Sequence, residues 1–210
     1  LPSSPAMRQL PFVTLLIAAT ATVIGSSPAL TTALELDRAA VLQGQLWRLF
    51  TGHFTHFGSD HLKWDLIGLL VLGSLAESSQ RRQMVVTLLG AAAVIGSAVV
   101  LFQPQFSHYR GLSGLDSALF GLVVARMIAT GWREKHHLSW MIGGLALAGF
   151  GAKCVYELTT HSTYFATGMG YSPVPLAHAL GALAGCGVVW AAATSAPTIA
   201  AASRKAPAKT

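Results

Sequence analysis

The stretch Gly111-Leu112-Ser113-Gly114 sets a serine hydroxyl between glycines, and Ala177-His178-Ala179-Leu180-Gly181 sets an imidazole among small residues. A serine and a histidine within hydrogen-bond reach make a nucleophile and its general base, the pair that acyl transfer requires. The glycines leave the hydroxyl unshielded, and the free N–H groups of a helix's first turn can hold an oxyanion. Alone, Ser113 also reads as an ordinary helix N-cap, and His178 as a satisfied structural group. Spacing joins them. Ala177, Gly181 and Gly185 form one row of small residues, matched by Gly114 with Ala118 and by Ser117 with Gly121. Such rows let two membrane helices approach backbone to backbone, which would bring the ring nitrogen to the hydroxyl.

Those helices lie in a chain that is 52% hydrophobic and 10% charged, whereas a soluble domain carries charge on about a quarter of its residues. Mean hydropathy is +0.53. Disorder is excluded, and so is a water-facing surface of ordinary size. At roughly 20 apolar residues per span, the chain holds about six spans and no second domain. The expected fold is therefore an all-α membrane protein. Its six-helix membrane domain covers 10–194, between a cytoplasmic N-terminal segment 1–9 and a disordered tail 195–210 rich in Ala, Ser, Pro and Lys. The spans fall near 10–30, 61–77, 84–102, 113–130, 138–158 and from Pro175 to about 193, with Pro11 suited to a first turn. Residues 31–60 interleave Trp47, Phe50, Phe54 and Phe57 with Arg48, His53 and His56, a mixture suited to the membrane interface. Ser78–Arg82 reads as a tight polar turn, and 158–175 as a Gly/Ser/Thr/Pro-rich loop.

Six spans put both termini on one side, together with Arg8, Arg81, Arg82, Arg133, Lys135, Arg204, Lys205 and Lys209. The opposite side carries Arg38, Arg48 and Arg110, with Lys63 and Lys153 near span ends, so the termini are expected in the cytoplasm. The net charge of +6 then reads as topogenic charge beside anionic lipid rather than a nucleic-acid surface. Cys154 and Cys186 lack metal-ligand spacing and read as packing residues. Ionisable groups at membrane depth are costly and informative. His61, Lys63, Asp65, Ser113, Lys153, Glu157 and His178 fall toward the outward ends of their spans, and Asp116 one turn deeper, so they can share one water-filled cavity.

With these residues in view, the chain resembles the rhomboid intramembrane serine proteases over about residues 45 to 190. The resemblance rests on Gly111-Leu112-Ser113-Gly114, on Ala177-His178-x-x-Gly181, and on Trp47–Phe57 leading into His61-Leu62-Lys63-Trp64-Asp65. It implies a six-transmembrane rhomboid-like bundle, a Ser113–His178 catalytic dyad, and His61 on the oxyanion side. It implies no cofactor and no metal; the partners are the bilayer and membrane-anchored protein substrates, cleaved near its outer face, in a bacterial inner membrane. Thr51–His56, Tyr109 and Lys153–Glu157 are similar to the rhombosortase branch, which is associated with C-terminal Gly-Gly sorting tails of exported proteins.

The chain also departs from the family. Asp65 stands where the family usually has Asn, and an ionised carboxylate would repel an oxyanion. Either burial keeps Asp65 protonated, or it orients His61 while backbone N–H groups stabilise the charge. Ser117 replaces an aromatic on which the histidine usually stacks. Asp116 reads as a partner for Lys153 or Arg110, or else as a third member that holds His178. A metal site at His53, His56 and His61 matches no strong zinc spacing, haem ligation would need histidines mid-span, and a transporter would show internal repeats. The alternative from another class is an inactive relative that binds and routes transmembrane clients.

Overall fold

The computed structural model describes residues 10–163 and 172–195. The expected N-terminal segment 1–9, residues 164–171 of the 158–175 loop and nearly all of the 195–210 tail lie outside them. Helix α1 (Phe12–Gly25) and helix α2 (Pro28–Leu34) meet at a 112° bend. The straight first span expected near 10–30 is broken because Pro28 lacks the N–H needed to continue α1. Ser27 caps α2 instead, accepting from Leu30 N–H (3.3 Å). The interfacial stretch then folds into strand β1 (Leu36–Asp37) and short helices α3 (Arg38–Leu42) and α4 (Arg48–Thr51), followed by a 3-10 turn over Gly52–Phe54. Strand β1 pairs antiparallel with β2 (His108–Tyr109), Leu36 opposite Tyr109, a small ladder that the all-α expectation lacked.

Helix α5 (Ser59–Gly68) runs through a π-helical turn at Leu69–Gly73 into α6 (Ser74–Phe102). The polar turn expected at Ser78–Arg82 is instead helical except at Gln80 (φ −157°, ψ 92°), where the axis kinks. No glycine or proline stands there to stop a helix, so one aberrant residue makes the bend. Helices α7 (Ser113–Arg133), α8 (His137–Thr160) and α9 (Pro175–Ser195) complete the bundle. Among the described residues, four helical stretches are long and apolar enough to cross a membrane, or five if the bent α1–α2 pair is one span.

The interior centres on α6 and α7, where Met84, Ile95, Leu115, Leu119 and Leu122 are buried. Helix α9 lies against α7 at backbone distance: a Cβ at Gly181 would collide with the Gly114 carbonyl, and one at Gly185 with that of Ala118. Helix α8 is the exception, burying only Gly143 and Glu157 of its 24 residues. The start of α1 is held by the beginning of α6. Buried Glu77 accepts from Val13 N–H (3.0 Å), Thr14 N–H (2.9 Å) and Thr14 Oγ1 (2.9 Å), while Arg81 donates to it at 2.9 Å. These satisfy first-turn donors that a helix cannot pair internally. Replacing Glu77 by Ala is expected to destabilise the protein by about 2 kcal/mol or more, read as thermal unfolding in detergent. Glu77→Gln, which keeps one acceptor oxygen, should lose less.

Candidate active site

The segment ahead of α7 is strapped to the interfacial stretch. Arg110 Nε donates to buried Glu35 Oε2 (2.7 Å), and its guanidinium sits 4.9 Å over the Phe57 ring, which stacks on His61 at 6.0 Å. His108 Nδ1 lies 3.3 Å from the other Glu35 oxygen. Gly111 N–H donates to Gly52 O (3.4 Å), so the chain enters α7 at a defined height. Gly111 adopts φ +124°, a conformation costly for side-chain-bearing residues, and a Cβ there would press on His61 Nε2 at 2.8 Å. His53 is fully buried in the 3-10 turn, 3.3 Å from Ala92 O, and burial pushes its imidazole down to about 4. It is thus a neutral strut between the interfacial stretch and α6.

Asp65 is the junction of this region. Its Oδ2 accepts from Leu112 N–H (2.8 Å) and lies 3.1 Å from His56 Nε2 and 3.3 Å from His61 Nε2. One oxygen thus gathers groups from three segments, with the Leu112 N–H donating to it. Ser113 follows as the first residue of α7. The first intrahelical bond beside it runs from Asp116 N–H to Leu112 O (2.9 Å), and the N–H groups that precede it are those a helix leaves free. Ser117 Oγ donates back to Ser113 O (2.8 Å), a use for the small side chain at that position.

Across the α7–α9 seam, His178 Nε2 lies 3.1 Å from Ser113 Oγ. Its Nδ1 lies 2.8 Å from Glu157 Oε2, whose other oxygen accepts from Lys153 Nζ at 2.8 Å. A ring nitrogen facing a carboxylate carries the proton, which leaves the Nε2 lone pair facing the serine hydroxyl. Sequence reading placed Glu157 among the ionisable groups near the site but gave it no part. The i,i+4 pair Lys153 and Glu157 signals one helix face, yet the rotation of that face toward α9 is a tertiary property.

Asp116 sits elsewhere. It lines the same cavity as Ser113, with Oδ2 close to the Gly68 backbone, where a Cβ would come within 2.9 Å, and its buried Oδ1 has no hydrogen-bond partner among the described residues. It makes no hydrogen bond to His178 there; Lys153 pairs with Glu157 and Arg110 with Glu35. Gly114 follows Ser113, its Cβ position 3.0 Å from the buried Tyr109 hydroxyl, and a Cβ at Gly121 would collide with the Ala182 carbonyl.

The cavity measures about 660 Å³ and gathers Ser113, His178, His61, Asp65, Lys153 and Glu157 against apolar walls that include Phe57, Trp64, Leu72, Phe120 and Phe150. An apolar cleft with convergent polar groups and a serine–histidine contact has the parts for acyl transfer. A family model described as the Rhomboid domain matches residues 43–195. A search of curated proteins finds no match.

Proposed function

The chain belongs to the rhomboid family of integral membrane proteins, and on that premise we propose that it is an intramembrane serine endopeptidase with Ser113 as nucleophile and His178 as general base. The observation that carries the reading is the 3.1 Å contact between Ser113 Oγ and His178 Nε2 across two helices. In the reaction, His178 takes the hydroxyl proton as Ser113 attacks a peptide carbonyl. The oxyanion is held by N–H groups at the start of α7 and by His61. His178 then protonates the leaving amine, and water hydrolyses the acyl-enzyme.

Six spans account for the bundle when α1–α2 counts as one and the kink at Gln80 divides 59–102 into two. The excess of basic residues at the ends away from Ser113 supports cytoplasmic termini and an outward-opening site in a bacterial inner membrane. The substrates are membrane-anchored proteins, and the rhombosortase-like motifs favour C-terminal Gly-Gly sorting tails. A fluorophosphonate probe tests the reading most directly: the purified protein becomes labelled and Ser113→Ala does not. An unlabelled parent protein would favour the alternative, an inactive relative that binds and routes transmembrane clients.

Asp65 acts here as an acceptor rather than an oxyanion donor. Its Oδ2 accepts from the Leu112 amide and lies 3.3 Å from His61 Nε2, which holds both in register with Ser113. Asp65→Asn turns one acceptor oxygen into a donor facing other donors, so cleavage is expected to fall about tenfold, and Asp65→Ala further. Activity equal to or above the parent in Asp65→Asn would instead mean that the charge is a handicap.

A further inference from the structure

We propose that Glu157 is a positioning residue of the reaction, acting through His178, so that the working unit is Ser113–His178–Glu157. The inference rests on the acyl-transfer reading of Ser113 and His178. Helix α8 exposes nearly its whole length, Leu138, Leu145, Val155 and Leu158 among others, and buries only Gly143 and Glu157. Glu157, 2% exposed, is thus a charged side chain sunk from a helix that otherwise packs little. Removing a carboxylate from water costs several kcal/mol unless its oxygens are engaged. They are engaged separately, Oε1 by Lys153 and Oε2 by His178 Nδ1 at 2.8 Å. An ion pair serving only to complete α8 would need Lys153 alone, four residues away on the same helix; the second oxygen is directed across to α9.

The consequence for the chemistry follows from proton positions. The Nδ1–H bond points at Glu157 and stays intact throughout, which fixes the tautomer whose Nε2 accepts the Ser113 proton. As the Oγ–H bond breaks, Oγ bonds to the substrate carbonyl carbon and the carbonyl electron pair moves to oxygen. The imidazolium then formed lies against the Glu157 carboxylate, which compensates its charge without taking the proton. When the C–N bond breaks, the Nε2 proton leaves with the amine. Lys153 Nζ, 3.2 Å from His178 Nδ1, would oppose the imidazolium if Glu157 were absent.

The test is the rate at which a fluorophosphonate probe labels the full chain in detergent, resolved into the limiting rate and the probe concentration at half rate. Glu157→Gln is expected to lower the limiting rate by about 10²- to 10⁴-fold with the half-rate concentration unchanged. Glu157→Asp should recover part of it. Lys153→Met removes the partner of Oε1 but leaves Oε2 on His178 Nδ1, so the loss in its limiting rate should stay well short of that in Glu157→Gln. Equal losses in Glu157→Gln and Lys153→Met, or a Glu157→Gln effect confined to the half-rate concentration, would overturn the proposal, since a purely structural ion pair predicts both. Should Glu157→Gln fail to fold, Glu157→Asp decides: a limiting rate equal to the parent overturns it and an intermediate one supports it. A parent protein that no probe labels refutes the protease reading itself, an outcome distinct from all of these.

Discussion

Ser113→Ala and His178→Ala are each expected to abolish cleavage of a membrane-anchored Gly-Gly fusion while leaving the protein folded. In the proposed reaction Ser113 supplies the bond-forming oxygen, and no other hydroxyl stands beside His178 Nε2 in the contacts of the described residues. Without His178 the Ser113 hydroxyl has no base. Where nucleophile and base act as a unit, loss of either removes about 10⁴-fold or more of the rate, and the double variant loses no more than the worse single one. The measurement is substrate processing in membranes alongside probe labelling, with thermal unfolding in detergent as the control for folding. Both side chains line a cavity rather than fill the core, so the unfolding midpoint should move little. Retained cleavage by Ser113→Ala would sink the assignment.

The second large effect is expected far from any reacting atom. Gly181→Ala adds one methyl group where α9 touches α7, and that methyl meets the Gly114 carbonyl, a backbone atom that cannot swing aside. The helices must separate or α9 must rotate. Overpacking of this kind costs about 1 to 3 kcal/mol, and a displacement near 1 Å between nucleophile and base costs about 10²-fold in rate. Gly181→Ala should therefore lose both stability and labelling. Gly187→Ala on the same helix is the control, because a Cβ at that position meets nothing within 4 Å. Equal behaviour of the two variants would show that the seam tolerates expansion.

The parts legible in the sequence and the parts that were not have a common physical divide. The long apolar stretches at 113–133, 137–160 and 175–195 stand near where hydropathy set them, because burial in lipid depends on composition along one segment. The rows Ala177–Gly181–Gly185 and Gly114–Ala118 could be read because helical periodicity alone puts their members on one face. The bend at Ser26–Ser27 and the kink at Gln80 depend on a single residue each, and hydropathy averages over windows too wide to see them. The partners of Asp65 and Glu157 come from three and two separate segments, respectively. No local pattern encodes which of two acids lining the cavity, Asp116 or Glu157, turns toward the histidine. The short β1–β2 ladder escaped for the same reason, since its two-residue strands lie far apart in the chain.

The position of His178 sets an order of events during synthesis. Ser113 opens α7, but its base arrives 65 residues later, on the last helix described. A chain still emerging from the ribosome, with α1 to α8 already in the bilayer, carries Ser113 without the base proposed for it. If Ser113 and His178 act as nucleophile and base, hydrolytic competence is acquired in one step, when α9 settles into the glycine seam, and a chain still lacking α9 is harmless to the membrane proteins inserted beside it.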